Sequence, residues 1–181
     1  MSKSVLLVKP RRWPLLTISI VVITGIFTGL QFVYPPLLLA LGRTPGTLSR
    51  HEWWRFLTPI LVHDGGWRQI VFNFPATLIV GTIVERRYSR GEWLVLYFSG
   101  ALVGELAGCA WQPYGAGNSV AGAGLLGGIA VWLMSRKVMQ ARVGAFVILG
   151  GAVVLTLLRD LHGPPLLAGT CAGWIMLRRR L

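Results

Sequence analysis

Charged residues are scarce in this chain of 181 residues. They make up only 13 % of it, against roughly 25 % in an ordinary globular domain, while hydrophobic residues reach 54 %. A water-soluble protein cannot cover its surface with so few charges. The composition therefore excludes an ordinary soluble domain and favours a protein that lies in a membrane.

Acidic residues and cysteines are also few. Six Asp and Glu stand against 18 Lys and Arg, but the basic residues form clusters between long apolar runs, so we predict no nucleic-acid partner. Both cysteines, Cys109 and Cys171, fall inside apolar runs, which excludes a disulfide framework and a zinc site. We expect no metal and no cofactor.

Long apolar segments account for most of the chain. Six can be drawn: Trp13–Val33, Trp67–Val84, Trp93–Trp111, Ser119–Met134, Val143–Leu158 and His162–Leu177. Several are nearer 16 residues than the roughly 20 that cross a bilayer core. The sequence predicts an all-α polytopic membrane protein with six transmembrane helices in a single domain, residues 1–181, embedded in a lipid bilayer.

The distribution of positive charge predicts the orientation of these spans. With the N-terminus in the cytoplasm, thirteen Lys and Arg fall inside and five outside, as the positive-inside rule requires. Residues 1–12 then form a basic cytoplasmic segment, and both termini are cytoplasmic. Residues 34–66 form a long outer loop, and its aromatic stretch His51–Phe56 predicts that this loop lies against the membrane.

A serine and a histidine stand at the predicted outer ends of two spans. Ser119 begins the fourth span, where a serine alone is explained as a helix N-cap. His162 begins the sixth span, where a histidine alone is explained as a loop residue near the interface. Neither residue is informative by itself.

The pair becomes specific when the helices that carry it are considered together. Both spans have small residues four positions apart, which let two helices approach closely: Ala123 and Gly127, and Gly169 and Gly173. Two parallel helices packed through these seams would hold Ser119 and His162 at one level. Histidine is the base that most often activates a serine nucleophile.

Two amide side chains lie one helical turn apart on the second span. Gln69 and Asn73 share one face, near the predicted outer end. Two amide donors on one face can stabilise a developing oxyanion. They can equally form hydrogen bonds to neighbouring helices, and their spacing does not decide between the two roles.

Taken together, these motifs resemble the rhomboid family of intramembrane serine proteases. The resemblance covers approximately residues 52–173, and it rests on several motifs that occur in the same order as in the family. They are WWRFLTPILVH at Trp53–His63, Phe72-Asn73, VERRYSRGEW at Val84–Trp93, GNS at Gly117–Ser119 with Gly127, and His162 with Gly169 and Gly173.

The resemblance implies a Ser–His dyad, with Ser119 as nucleophile and His162 as general base. It implies that Asn73 and the backbone N–H of Ser119 form the oxyanion hole, and that His63 supports the long loop. The implied substrates are membrane proteins with a single transmembrane helix, cut near the outer face. Gln69 replaces a histidine of the family, and we expect it to take over the oxyanion role.

The chain departs from the family pattern just after the histidine, where Pro164 and Pro165 stand. Proline disfavours helix in the residue before it, so His162 is expected to cap its helix and not to lie within it. We also expect Asp160 to be a solvated loop charge that points away from His162. Glu105 should make a structural hydrogen bond to a neighbouring helix, and Glu85 should form a charged end cluster with Arg86 and Arg87.

Two functions remain open at this stage. The first is an intramembrane serine endopeptidase, and the alternative is a catalytically inactive rhomboid-like protein that binds membrane helices without cutting them. Fifteen Arg against three Lys indicate a GC-rich prokaryotic gene and hence a plasma-membrane protein. The sequence predicts neither an oligomeric state nor a particular substrate.

Overall fold

Seven α-helices account for most of the structure, a computed structural model that describes residues 13–179. The basic segment 1–12 and Arg180 lie outside the described residues. The helices are α1 (Leu15–Val33), α2 (Pro36–Leu41), α3 (Gly66–Glu85), α4 (Arg90–Trp111), α5 (Ser119–Met134), α6 (Met139–Leu157) and α7 (Gly163–Arg178). Two 3₁₀-helices, Trp53–Phe56 and Thr58–Leu61, lie between α2 and α3.

The six long helices correspond in order to the six predicted apolar segments. Across residues 13–179 the only β-structure is an isolated bridge between Arg43 and Gly115, so the all-α prediction is confirmed. By length and hydropathy, α1, α4 and α6 are each able to cross a membrane, and α5 is apolar but only 16 residues long. The crossing of all six and the direction of the termini stay predictions.

The beginning of α1 is capped by a residue from another helix. The carboxylate of Glu85, at the end of α3, accepts hydrogen bonds from the backbone N–H groups of Leu16 and Thr17, both at 2.9 Å. A negative charge is favourable at a helix N-terminus, where N–H groups lack partners within the helix. Glu85 therefore ties the beginning of α1 to the end of α3, so the two helices run in opposite directions. The predicted cluster of Glu85 with Arg86 and Arg87 did not include this contact.

Helix α5 lies at the centre of the bundle, between α4 and α7. A Cβ atom at Gly124 would lie 2.3 Å from the carbonyl oxygen of Leu96 on α4. On the other side, a Cβ atom at Gly169 of α7 would lie 2.0 Å from the carbonyl oxygen of Gly124. The backbones thus touch where no side chain fits, and the predicted close approach of the fourth and sixth spans is confirmed.

We predict that Gly169→Ala destabilises the protein, because its methyl group has no space against the backbone of α5. Overpacking of this kind costs about 2 kcal/mol, which lowers the thermal midpoint by about 5 °C. Thermal unfolding in detergent micelles measures the change.

The matched control is Gly150→Ala on α6, where a Cβ atom would meet nothing within 4 Å. Alanine is the better helix former, so this variant should unfold at the same temperature as the wild type or slightly higher. Equal midpoints for Gly169→Ala and Gly150→Ala would contradict the packing described above.

Candidate active site

Ser119 and His162 meet at one end of the bundle. Ser119 is the first residue of α5, and His162 is the N-cap of α7, which runs parallel to α5. His162 Nε2 lies 2.9 Å from Ser119 Oγ, within hydrogen-bond distance. His162 is the N-cap of α7, as predicted, although Gly163 and Pro164, the residues that directly precede the two prolines, are helical. The chemical roles of the two side chains stay predictions.

A tight turn leads the chain into Ser119. Gly117 has φ +146°, which L side chains rarely adopt, and its N–H donates to the carbonyl oxygen of Pro59 at 2.9 Å. A Cβ atom at Gly117 would lie 2.2 Å from Gln69 Nε2. Only glycine therefore lets the serine turn pack between α3 and the long loop.

Asp160 contacts the side of the imidazole that faces away from Ser119. Its Oδ1 accepts the backbone N–H of His162 at 2.8 Å and lies 2.8 Å from His162 Nδ1. The expectation that this carboxylate points away was wrong, because Arg159 has φ +57° and turns the chain so that Asp160 faces the ring. Burial raises the pKa of Asp160, but the hydrogen bonds from His162 outweigh it and hold the pKa below its ordinary value.

His63 lies inside the protein and contacts the residue before Ser119, not Ser119 or His162 themselves. Its side chain is fully buried, with Nδ1 3.0 Å from Thr28 Oγ1 and Nε2 3.3 Å from Asn118 Oδ1. Its backbone N–H and carbonyl oxygen both bond the side chain of Gln31. Burial lowers the pKa of His63, against opposing effects of Asn118 and Asp64, so the ring is neutral at neutral pH. The contacts join the long loop to α1 and to the residue before Ser119.

The two amides on α3 have different surroundings. Gln69 Nε2 donates to the carbonyl oxygen of Ala116 at 2.7 Å, and its Oε1 accepts from the N–H of Gly65 at 2.8 Å. Asn73 Nδ2 is buried and has no hydrogen-bond partner among residues 13–179. A buried amide without a partner is costly in a resting protein. Asn73 therefore keeps both of its N–H donors, whereas Gln69 has committed one of its two to Ala116.

A buried ion pair lies beneath the same end of the bundle. Arg43, in the long loop, pairs with Glu105 of α4, and each side chain is only 2 % exposed. Arg43 Nε also donates to the carbonyl oxygen of Gln112 at 3.0 Å. The expected hydrogen bond of Glu105 to a neighbouring helix was thus wrong, since its partner comes from the loop. A lone carboxylate in an apolar helix requires a cation, and that requirement was the signal that sequence reasoning missed.

Two cavities with different linings include Ser119 and His162 on their walls. One has a volume of about 190 Å³ and a polar wall that includes Arg43, Asp64, Gln69 and Glu105. The other has a volume of about 250 Å³ and is mainly apolar, with Asn73 on its wall. The Ser119–His162 pair therefore borders two cavities, one polar and one mainly apolar.

The fold and this site together define a multi-pass helical membrane protein that carries a serine–histidine pair at one end of its bundle. The sequence model of the rhomboid domain family matches residues 50–179. The chain belongs to the rhomboid family, and the predicted family is confirmed.

Named relatives agree with this assignment. Rhomboid protease GluP of Bacillus subtilis is 39 % identical over 114 residues, which are 61 % of this chain and 22 % of that protein. Rhomboid-like protease 3 of Toxoplasma gondii is 34 % identical over 52 % of this chain and 36 % of its own length. Putative rhomboid protease YdcA of Bacillus subtilis is 22 % identical over 71 % of this chain and 68 % of its own. The chain thus spans well under half of the first two relatives.

We predict that Arg43→Gln strongly destabilises the protein, because it leaves the Glu105 carboxylate buried without a cation. Breaking a buried ion pair from one side costs about 3–5 kcal/mol. Chemical unfolding in detergent micelles measures the loss.

Arg50→Gln is the matched control in the same loop. The Arg50 side chain is 56 % exposed and its pair with Glu52 is 3.4 Å long, so its removal should change stability by less than about 1 kcal/mol. If Arg43→Gln and Arg50→Gln lowered the free energy of unfolding equally, the buried Arg43–Glu105 pair would not be a special source of stability.

Proposed function

We propose that this protein is an intramembrane serine endopeptidase that cuts transmembrane-helix substrates near the outer face of the membrane. The observation that carries the proposal is the 2.9 Å contact between Ser119 Oγ and His162 Nε2. Membership of the rhomboid family, whose named relatives include proteases, supports it independently.

In the proposed reaction, Ser119 is the nucleophile and His162 the general base. His162 Nε2 takes the hydroxyl proton as Oγ attacks the scissile carbonyl carbon, and the carbonyl oxygen becomes an oxyanion. The protonated imidazole then gives its proton to the leaving amine, and the peptide bond breaks to leave an acyl-enzyme. A water molecule, deprotonated by His162, hydrolyses this ester and restores Ser119.

The proposed oxyanion hole uses donors that lie around Ser119. The first N–H groups of a helix have no partners within it, which suits the backbone N–H of Ser119 to an oxyanion. The buried Nδ2 of Asn73 supports its assignment as a second donor, because it has no other partner among the described residues. Gln69 Nε2 donates one N–H to the carbonyl oxygen of Ala116, and its second N–H is the third proposed donor.

The proposed setting is a bacterial plasma membrane. Six spans with cytoplasmic termini, in one domain of residues 1–181, would bring Ser119 and His162 to the outer half of the bilayer. The membrane-associated loop 34–66 would lie beside them, supported by His63. The substrates would be membrane proteins with a single transmembrane helix, and the Bacillus relatives support the bacterial location.

We predict that Ser119→Ala abolishes both cleavage of a transmembrane reporter in liposomes and labelling by a fluorophosphonate probe. The reason is that the activated Oγ is the atom that both reactions require. Ser135→Ala, at the other end of α5, removes a serine that only bonds the carbonyl oxygen of Trp132, and it should keep both reactions. A folded wild type that is neither labelled nor active would support the inactive helix-binding alternative.

We predict that Asn73→Ala and Gln69→Ala each lower kcat with little change in KM, because an oxyanion donor acts mainly in the transition state. Loss of one donor costs about 10²–10³ in kcat. Gln69→His should retain much of the activity, since an imidazole N–H can point where the amide N–H does. Steady-state kinetics on the liposome reporter measure all three variants. Wild-type kcat in Gln69→Ala would restrict this residue to helix packing.

A further inference from the structure

The link between α6 and α7 holds a carboxylate against His162. Asp160 Oδ1 receives the backbone N–H of His162 and lies 2.8 Å from Nδ1, while Nε2 on the opposite side of the ring lies 2.9 Å from Ser119 Oγ. We propose that Asp160 is a positioning residue, which keeps the proton of His162 on Nδ1 and its free Nε2 lone pair toward Ser119. This inference rests on the proposed function and adds a third member to the dyad that the family resemblance implies.

The backbone of the link directs Asp160 toward the ring. Arg159 has φ +57°, and its N–H donates to the carbonyl oxygen of Thr156 at 3.1 Å. The N–H of Asp160 donates to the carbonyl oxygen of Leu155 at 2.9 Å. These two bonds are those of a Schellman motif, which ends a helix with one residue in the left-handed conformation. The motif reverses the chain, so the side chain of Asp160 faces back over His162.

The chemistry of the three groups then sets where the protons lie. The pKa of Asp160 is below its ordinary value, so the carboxylate is ionised at neutral pH and only accepts hydrogen bonds. His162 Nδ1 must therefore be the donor in this contact. A neutral imidazole has one N–H, so Nε2 is left with a lone pair that accepts the Ser119 hydroxyl hydrogen. This is the tautomer that a general base requires.

No other acidic side chain among residues 13–179 bonds this imidazole. Asp64 and Glu105 line the same polar cavity, but Glu105 pairs with Arg43, and Asp64 has no hydrogen bond to His162. A purely structural role for Asp160 is the competing explanation, because its Oδ1 also accepts a backbone N–H. Asparagine distinguishes the two roles, since its Oδ1 can still accept that N–H while its amide no longer carries the charge.

The test compares Asp160→Asn with the wild type in two measurements. In the liposome assay, kcat should fall by about tenfold to a hundredfold with KM unchanged. The fall should be smaller than for a fully buried aspartate, because the side chains of Asp160 and His162 are each 38 % exposed and water can partly replace the carboxylate. Glu92→Gln, at the capping box that begins α4, is the matched loss of one negative charge and should keep wild-type kcat.

The second measurement is the tautomer of His162, read from ¹⁵N shifts of histidine-labelled protein in micelles and assigned with His162→Ala. The wild type should show the Nδ1–H form, and Asp160→Asn should move toward the Nε2–H form. An Nε2–H form in the wild type, or wild-type kcat in a folded Asp160→Asn protein, would overturn the inference. An inactive wild type would instead count against the proposed function, and the tautomer would still decide the role of Asp160.

Discussion

The backbone contact between α5 and its two neighbours is the constraint on which the site depends. Gly124 touches the backbone of α4 on one side and Gly169 of α7 on the other, at distances that exclude even a methyl group. Because α5 and α7 then run parallel at close range, the first residues of both helices lie side by side. The 2.9 Å contact of Ser119 with His162 is therefore a consequence of glycines about one to two turns further along the helices, and not of the loops alone.

The polar residues near this end serve mainly to hold the serine turn. Arg43 pairs with Glu105 and forms a backbone bridge with Gly115, while His63 bonds Asn118. The bridge and the His63 contact join the long loop to the segment that precedes Ser119, and the ion pair joins the loop to α4. Buried polar groups are stable only when they are paired, so these contacts act together and restrict the turn to one conformation. The restriction matters because a serine at a mobile helix start would not stay within reach of the imidazole.

Sequence reasoning predicted those parts of the site that depend on the periodicity of helices. The small residues four apart were enough to place Ser119 beside His162, since helical spacing converts directly into a shared face. It failed for Asp160 and for the partner of Glu105, which depend on how loops turn. Nothing in the sequence marks Arg159 as a residue with positive φ, because that conformation is usual for glycine and not for arginine. The pairing of Arg43 with Glu105 joins residues 62 positions apart, a distance over which no periodicity operates.

The two prolines after His162 explain why the Asp160 carboxylate is important for the orientation of the imidazole. Pro164 and Pro165 stand in the first turn of α7, where proline is well tolerated, and His162 is left outside the helix as its N-cap. The side chain of His162 makes no capping hydrogen bond to the first turn of α7, so this turn does not fix its direction. The direction of the imidazole must then come from the link to α6. The Schellman turn and the Asp160 carboxylate supply this direction. The prolines depart from the family pattern, and the added carboxylate provides the orientation of the imidazole that the prolines leave open.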